Sequence, residues 1–306
     1  MSAPSPPVVV LAGGTGGAKL ARGMVDATGP GELVVIANTG DDIEIHGAYV
    51  SPDPDLVSFW LADRIDSRGW GLHGDTFAVM DGLRELGVDV WFQLGDRDLA
   101  YGLERARRLT AGDRLTEAQA AITAALSVPA RVLPMSDQPV RTRVLSDDHW
   151  WGLQEFLIRN RGEGEITDVD FRGARCASPS PEVLEAIGHA RAIIIGPSNP
   201  VISIGPILAL PGLREAIAAA PAPVVAVSPI VAGEVLKGPT AAFMRGAGLP
   251  VSAEGVAELY SGLIDGLVAD ERIDGLPVLE INVLMDTAPA RARVAQETLD
   301  FALALR

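Results

Sequence analysis

The sequence predicts an α/β fold: a doubly wound, Rossmann-like, mostly parallel sheet that carries an inserted smaller subdomain. Apolar runs at 8–12, 33–37, 192–195 and 224–227 stay unbroken and then stop in Gly13-Gly14, Asn38-Thr39-Gly40, Gly196-Pro197 and Ser228-Pro229. A strand with one wet face would alternate, so unbroken runs mark strands of a parallel sheet covered on both sides. Helix-patterned stretches lie between the runs, and strand alternating with helix is the mark of an open, doubly wound sheet. With 306 residues, 48% hydrophobic and 21% charged, the chain has the balance of a globular protein with a large core.

Taken in order, residues 1–7 have no basic region and no long apolar stretch, so they read as a mobile arm and neither a secretion signal nor a membrane anchor. The nucleotide-binding core is expected over 8–114 and 191–306. Its first strand, 8–12, feeds a helix over 19–27. The second, 33–37, is followed by helices over 55–66 and 76–86, and the apolar run 90–94 reads as a further strand. Residues 115–190 read as the inserted, partly helical subdomain. There the rhythm breaks into short alternating segments near 131–133 and 140–145, then a cluster of Trp150, Trp151 and Phe156, then 165–171. That cluster reads as buried core and not as a stacking site, since aromatic groups mostly bury area. The rhythm returns with 192–195, a helix over 207–219 and 224–227. A late strand is expected over 278–285 and a closing helix over 291–305.

Charge and cysteine content exclude several classes. Forty acidic and 25 basic residues leave a formal charge of −15. Such a surface repels phosphate backbones, which argues against nucleic acids and anionic membranes as partners. An anionic ligand must therefore be met locally. Cys176 is the single cysteine, and His46, His73, His149 and His189 do not pair at ligand spacing, so neither a disulfide nor a zinc site is expected. A reduced, cytoplasmic setting follows. No window reaches the roughly 18 apolar residues of a spanning helix. The size and fold class are compatible with a homodimer, although no exposed apolar stripe in the sequence establishes one.

Several turn segments at strand ends carry chemistry. Gly13-Gly14-Thr15-Gly16-Gly17-Ala18-Lys19-Leu20 opens a helix, where glycines admit close approach and unpaired N–H groups attract an anion. It is not a Walker loop, since Ala18 and Leu20 replace the required glycine and hydroxyl residue, and Lys19 breaks the dinucleotide fingerprint. A tight turn with no ligand is the competing reading. In Asn38-Thr39-Gly40-Asp41-Asp42, adjacent carboxylates near such a loop suit magnesium, which prefers hard oxygen ligands; a solvated turn is the alternative. Asp53 and Asp55 follow in Ser51-Pro52-Asp53-Pro54-Asp55, where one of them serves equally well as a helix cap. Arg97 in Gly95-Asp96-Arg97-Asp98 offers a forked donor for phosphate or a carbonyl-rich ring, against a surface ion pair. Ser198 and Asn199 in Gly196-Pro197-Ser198-Asn199-Pro200 offer polar groups to a base or diphosphate, or form a structural turn. No Ser-His-Asp set, cysteine nucleophile or metalloprotease motif accompanies them. The assortment suits phosphoryl-type transfer, which needs positioning and charge neutralisation above all.

These stretches, with Leu133-Pro134-Met135-Ser136-Asp137 and Val227-Ser228-Pro229-Ile230, come in the order seen in a known family. The chain resembles the 2-phospho-L-lactate transferases of deazaflavin coenzyme biosynthesis, the CofD/FbiA family. The resemblance implies transfer of a phosphorylated three-carbon acid from a guanosine-diphosphate-linked donor to the ribityl hydroxyl of the deazaflavin Fo. GMP leaves, and magnesium is required. It further implies that Asp55 contacts the deazaflavin, that Asp53 binds metal or helps deprotonate the hydroxyl, and that Arg97 contacts Fo or the developing charge. Gly13, Gly14, Thr15, Gly16 and Lys19 would cradle the diphosphate, with Asn38 beside them. Asp41 and Asp42 would hold magnesium, and Ser198 and Asn199 would meet the guanosine nucleotide. Pro54 between the two aspartates departs from the family pattern, and little is recognised beyond about residue 240. Lactyl, enolpyruvyl and glyceryl donors differ by a few atoms that the sequence does not separate. The rival readings are a dinucleotide-dependent oxidoreductase and a non-catalytic nucleotide-binding sensor.

Overall fold

The computed structural model describes residues 5–235 and 238–305. Of the expected arm, residues 1–4 lie outside the described residues. Residues 5–7 reach the sheet without regular structure, and the Pro7 carbonyl accepts from the Arg191 amide at 2.9 Å.

Strand β1 (Val8–Ala12) leads into α1 (Gly14–Thr28), and β2 (Leu33–Ala37) leads through a hairpin of β3 (Ile43–Ile45) and β4 (Ala48–Val50) into α2 (Pro52–Leu61). Helices α3 (Ala78–Glu85), α4 (Asp96–Thr110) and α5 (Leu115–Ala125) precede β5 (Arg131–Pro134). A small antiparallel sheet follows: β6 (Arg141–Ser146), β7 (His149–Gly152) and, after α6 (Leu153–Ile158), β8 (Ile166–Arg172). Helix α7 (Pro181–Gly188) returns the chain to β9 (Ala192–Ile195). A π-helical turn at Pro200–Ile204, α8 (Gly205–Leu208) and α9 (Leu213–Ala218) then lead to β10 (Val224–Val227). The remainder comprises a hairpin of β11 (Ile230–Val231) and β12 (Glu234–Val235), α10 (Thr240–Gly246), α11 (Ala253–Leu259), β13 (Gly266–Ala269), β14 (Val278–Glu280) and α12 (Ala288–Ala304).

The main sheet has seven strands in the order β14-β13-β10-β9-β1-β2-β5, every pair parallel. The chain builds outward from β1 in one direction and from β9 in the other. The reversal between β1 and β9 opens a crevice at the strands' carboxyl ends, where folds of this kind bind ligands. Alternate side chains face opposite layers. Val8, Val10 and Ala12 pack with Leu20, Met24, Val294 and Leu299 of α1 and α12. Val9 and Leu11 pack with Ile187, Ile207, Leu213 and Val256 of α7, α8, α9 and α11. Both faces being covered is why these strands are apolar throughout. Among the described residues no helix is long and apolar enough to cross a membrane.

The structure departs from the expected elements at several places. Residues 90–94 form no strand; Phe92 and Leu94 instead bury in a satellite core with Met80, Leu99, Ala48 and Val50, which satisfies the apolar run without a pairing partner. Residues 131–134, expected inside the insertion, pair with β2 and close one edge of the main sheet. The separate antiparallel sheet begins only at Arg141. The helix expected over 207–219 is broken at Pro211-Gly212, where Gly212 adopts φ 81°. The late strand is limited to Val278–Glu280, and Val283 to Asp286 instead line a cavity.

The loops after β1 and β9 touch at the switch point. A Cβ on Gly16 would sit 2.0 Å from the Pro197 carbonyl oxygen, a backbone atom that cannot swing away. Gly16→Ala is therefore expected to cost about 1–3 kcal/mol through forced separation of the two loops. Gly188→Ala, with nothing within 4 Å of the new methyl, should be neutral or slightly stabilising. Chemical denaturation of the two variants checks the contrast.

Candidate active site

A cavity of about 1200 Å³ opens over the switch point. Drug-sized ligands occupy pockets of about 300–1,000 Å³, so this volume admits two small substrates together. Gly13, Gly14, Thr15, Gly16 and Lys19 line it from the start of α1, and Ser198, Asn199 and Ser203 line it from the β9 loop. Asn38 and Asp41 enter after β2, and Asp53 and Asp55 from the first turn of α2. Most of the residues singled out in the sequence thus converge. Asp42 and Arg97 do not.

The glycine loop is tied down by side chains from elsewhere in the chain. The Gly14 amide donates to Asp53 Oδ1 at 2.6 Å, and the Gly13 amide donates to Ser198 Oγ at 3.1 Å. A Cβ on Gly13 would lie 2.6 Å from Asp53 Oδ2 and 2.7 Å from Ser203 Cβ, so only glycine lets these three segments meet. Asn199 Oδ1 accepts from the amides of Val201 and Ile202, capping the π-helical turn, while its Nδ2 has no partner among the described residues. The ammonium of Lys19 lies 5.9 Å from the centre of the Trp60 ring.

The carboxylates differ in what holds them. Asn38 Nδ2 donates to Asp53 Oδ2 at 2.9 Å and approaches Asp41 Oδ1 at 3.4 Å, so one amide bridges the pair. Gln154 Nε2 donates to Asp41 Oδ2 at 2.9 Å. Burial, together with the charges of Asp53 and Asp42, pushes the Asp41 carboxyl well up, and burial raises Asp53 as well. Both aspartates are short of positive charge. Asp42 turns away from the cavity: Ser51 Oγ donates to its Oδ1 at 2.6 Å, and its neighbourhood is that of Tyr49 and Arg141. The two adjacent carboxylates expected to share a metal therefore face different sides of the turn, and Asp53 stands where Asp42 was expected. Burial lifts the Asp42 carboxyl to about 7.

Asp55 is locked in place. Arg105 of α4, completely buried, reaches both of its oxygens, donating from Nη1 at 3.0 Å and from Nη2. Arg105 also donates to the Tyr49 carbonyl and to Gln119 Oε1, each at 3.0 Å, and Gln119 Nε2 donates to Ser58 Oγ. Arg105 and Gln119 carried no sequence signal, since they lie on α4 and α5 among other polar positions far from Asp55 in the chain. Only packing pairs them.

The segment Gly95-Asp96-Arg97-Asp98 opens a helix and does not end a strand. Asp75 accepts from the amides of Arg97 and Asp98, while Asp96 accepts from the amides of Ala78 and Val79. Each acid caps the helix that follows the other. This reciprocal capping leaves the Arg97 side chain exposed outside the cavity, and the residue the segment sends inward is Asp98. Trp70 and Trp91 also line that end, with the guanidinium groups of Arg68 and Arg159 over their rings at 4.4 and 5.1 Å.

A parallel sheet whose switch-point cavity joins a glycine-opened helix to buried carboxylates defines a Rossmann-like protein for a charged small molecule. Comparison with known proteins narrows this. The chain belongs to the CofD family: residues 8–284 match the family described as 2-phospho-L-lactate transferase CofD. It is 41% identical to a 2-phospho-L-lactate transferase of Methanosarcina mazei over 87% of either chain. It is 40% identical to a phosphoenolpyruvate transferase of Kitasatospora aureofaciens over 98% of either chain. The fold is also that of a UPF0052 family member from Bacillus halodurans, with TM-score 0.64 and 17% identity over 97% of this chain and 100% of that one.

Removing one partner of a buried ion pair strands the other's charge. Arg105→Met is expected to cost about 3–5 kcal/mol. Adding Asp55→Asn, which removes the stranded charge, should recover part of the loss. Urea unfolding of the single and double variants measures both effects.

Proposed function

We propose that this chain transfers a phosphorylated three-carbon acid, phosphoenolpyruvyl or 2-phospholactyl, from a guanosine-diphosphate-linked donor to the terminal ribityl hydroxyl of the deazaflavin Fo, releasing GMP. Membership of the CofD family and the names of its relatives support the transferase class. The observation that carries the reading is the Asp41–Asn38–Asp53 bridge set against the glycine loop in a cavity with room for both substrates.

That bridge fits magnesium. Asp53 occupies the helix N-terminus that an incoming diphosphate would seek, so two anions would meet there unless a cation lay between them. Among the described residues no three His, Cys, Asp or Glu group as a full cage. Magnesium is usually held by one or two carboxylates completed by substrate phosphates and water, which is what Asp41 and Asp53 provide. When bound, it supplies charge neutralisation on the phosphoryl oxygens and the departing GMP.

The chain's own groups do the rest. Amides of the α1 first turn and the Lys19 ammonium meet the diphosphate, and the loop of Ser198 and Asn199 lines the same cavity for the nucleotide. Asp55, oriented by Arg105 on both oxygens, keeps a lone pair on each oxygen and accepts from the acceptor hydroxyl, setting its line of approach to phosphorus. Arg97 would take part only by folding back over the cavity from its exposed position.

Purified protein with magnesium, Fo and, in turn, the lactyl, enolpyruvyl and glyceryl donors is expected to yield a phosphodiester-linked product from one of them by mass spectrometry. A chelator should stop the reaction and added magnesium restore it. Asp41→Asn is expected to lower turnover on the order of 100-fold or more, and Asp42→Asn, facing away, to change it little. Absence of product from every donor, with no binding of Fo, would overturn the reading.

A further inference from the structure

We infer that Asp98 is a further catalytic residue, the group that takes the proton from the attacking hydroxyl; the inference rests on the transfer reaction proposed above. Asp41, Asp53, Asp55, Asp98 and Asp286 line the cavity. Asp41 accepts from Gln154 and Asn38, and Asp53 from the Gly14 amide and Asn38. Asp55 is engaged on both oxygens by Arg105. Asp286 is exposed in the segment after β14. Asp98, half-buried, lines the cavity and receives no hydrogen bond on its carboxylate among the described residues. Of the carboxylates inside, it is the one that accepts no hydrogen bond among the described residues.

Its position is nonetheless well defined. Asp98 stands in the first turn of α4, and its amide donates to Asp75 Oδ2 at 3.1 Å. A Cβ on Gly95 would fall 2.1 Å from the same Asp75 oxygen, so the turn and its cap are closely packed. The backbone is thus pinned while the residue lines the same cavity as Asp55, the residue assigned to the hydroxyl. One aspartate then orients the hydroxyl and the next accepts its proton.

The electrostatics suit the role. Burial, then the charges of Asp55 on α2 and Asp75 ahead of α3, push the Asp98 carboxyl up to about 7, with Arg105 of α4 opposing. A general base works best when its pKa lies near the working pH. In the step, the acceptor oxygen bonds to the phosphorus bearing the three-carbon acid while its proton passes to Asp98. The bond from that phosphorus to the bridging oxygen breaks, and GMP leaves with the electron pair. Asp98 then returns its proton to solvent.

The test compares wild type with Asp98→Asn. The expected result is a fall in kcat of about 10²–10⁴-fold, with Fo affinity by fluorescence titration nearly unchanged. The wild-type rate should rise with pH through about 7 as Asp98 loses its proton, and this limb should vanish in the variant. A variant of near wild-type kcat with the limb intact overturns the assignment while leaving the transfer reaction standing. So does a loss of Fo affinity that accounts for the whole loss of rate, since that marks a binding group. Wild type inactive with every donor overturns the transfer reaction itself. If circular dichroism shows that Asp98→Asn does not fold, Asp98→Ser carries the same comparison.

Discussion

Asp41, Asp42, Asp53 and Asp55 are all buried at the carboxyl end of the main sheet. Taking an ionised carboxylate out of water costs several kcal/mol unless hydrogen bonds or opposite charge replace the lost hydration. Much of the architecture around the site answers that cost. The Gly14 amide and Asn38 serve Asp53, Gln154 serves Asp41, Ser51 serves Asp42, and a wholly buried Arg105 serves Asp55. Elements distant in the chain are drawn together by these bonds, from α1 to α6, so the chemistry of the site and the packing of the domain are one problem.

The answer is unequal by design of charge. Asp55 receives a full cation, whereas Asp41 and Asp53 share one neutral amide and remain short of positive charge. A neutral donor replaces hydration without cancelling charge, so this pair is where the proposed magnesium would be held. Asp98 forms the third kind of environment, half-buried, with no hydrogen bond to its carboxylate among the described residues and influenced by the charges of Asp55 and Asp75. Carboxylates of one residue type are thereby differentiated by their surroundings alone.

The sheet topology explains why these groups meet at one place. Loops after β1 and β9 leave the sheet in neighbouring positions but diverge to opposite layers, which opens a crevice between them. Glycines let the loops close to backbone contact at the base, and the α2 first turn covers the near side with Asp53 and Asp55. The long excursion from β4 to β5 and the small antiparallel sheet then wall the cavity, contributing Asp98, Trp91 and Gln154.

Local pattern was enough to determine the parallel sheet, because strands buried on both faces must be apolar without interruption, as in residues 8–12 and 192–195. It was enough, too, to mark segments that meet at the cavity, those of the glycine loop, of Asn38, Asp41, Asp53 and Asp55, and of Ser198 and Asn199, since each sits within a few residues of a strand end or helix start. Tertiary structure decided what depends on direction and on distant partners. Adjacent residues in a turn point to different sides, so Asp42 leaves the cavity that Asp41 enters. A capping exchange between Asp75 and Asp96 turns Arg97 outward and Asp98 inward, and an arginine fifty positions from Asp55 becomes its ion partner. Side-chain direction and pairing across such separations follow from packing, which no local periodicity encodes.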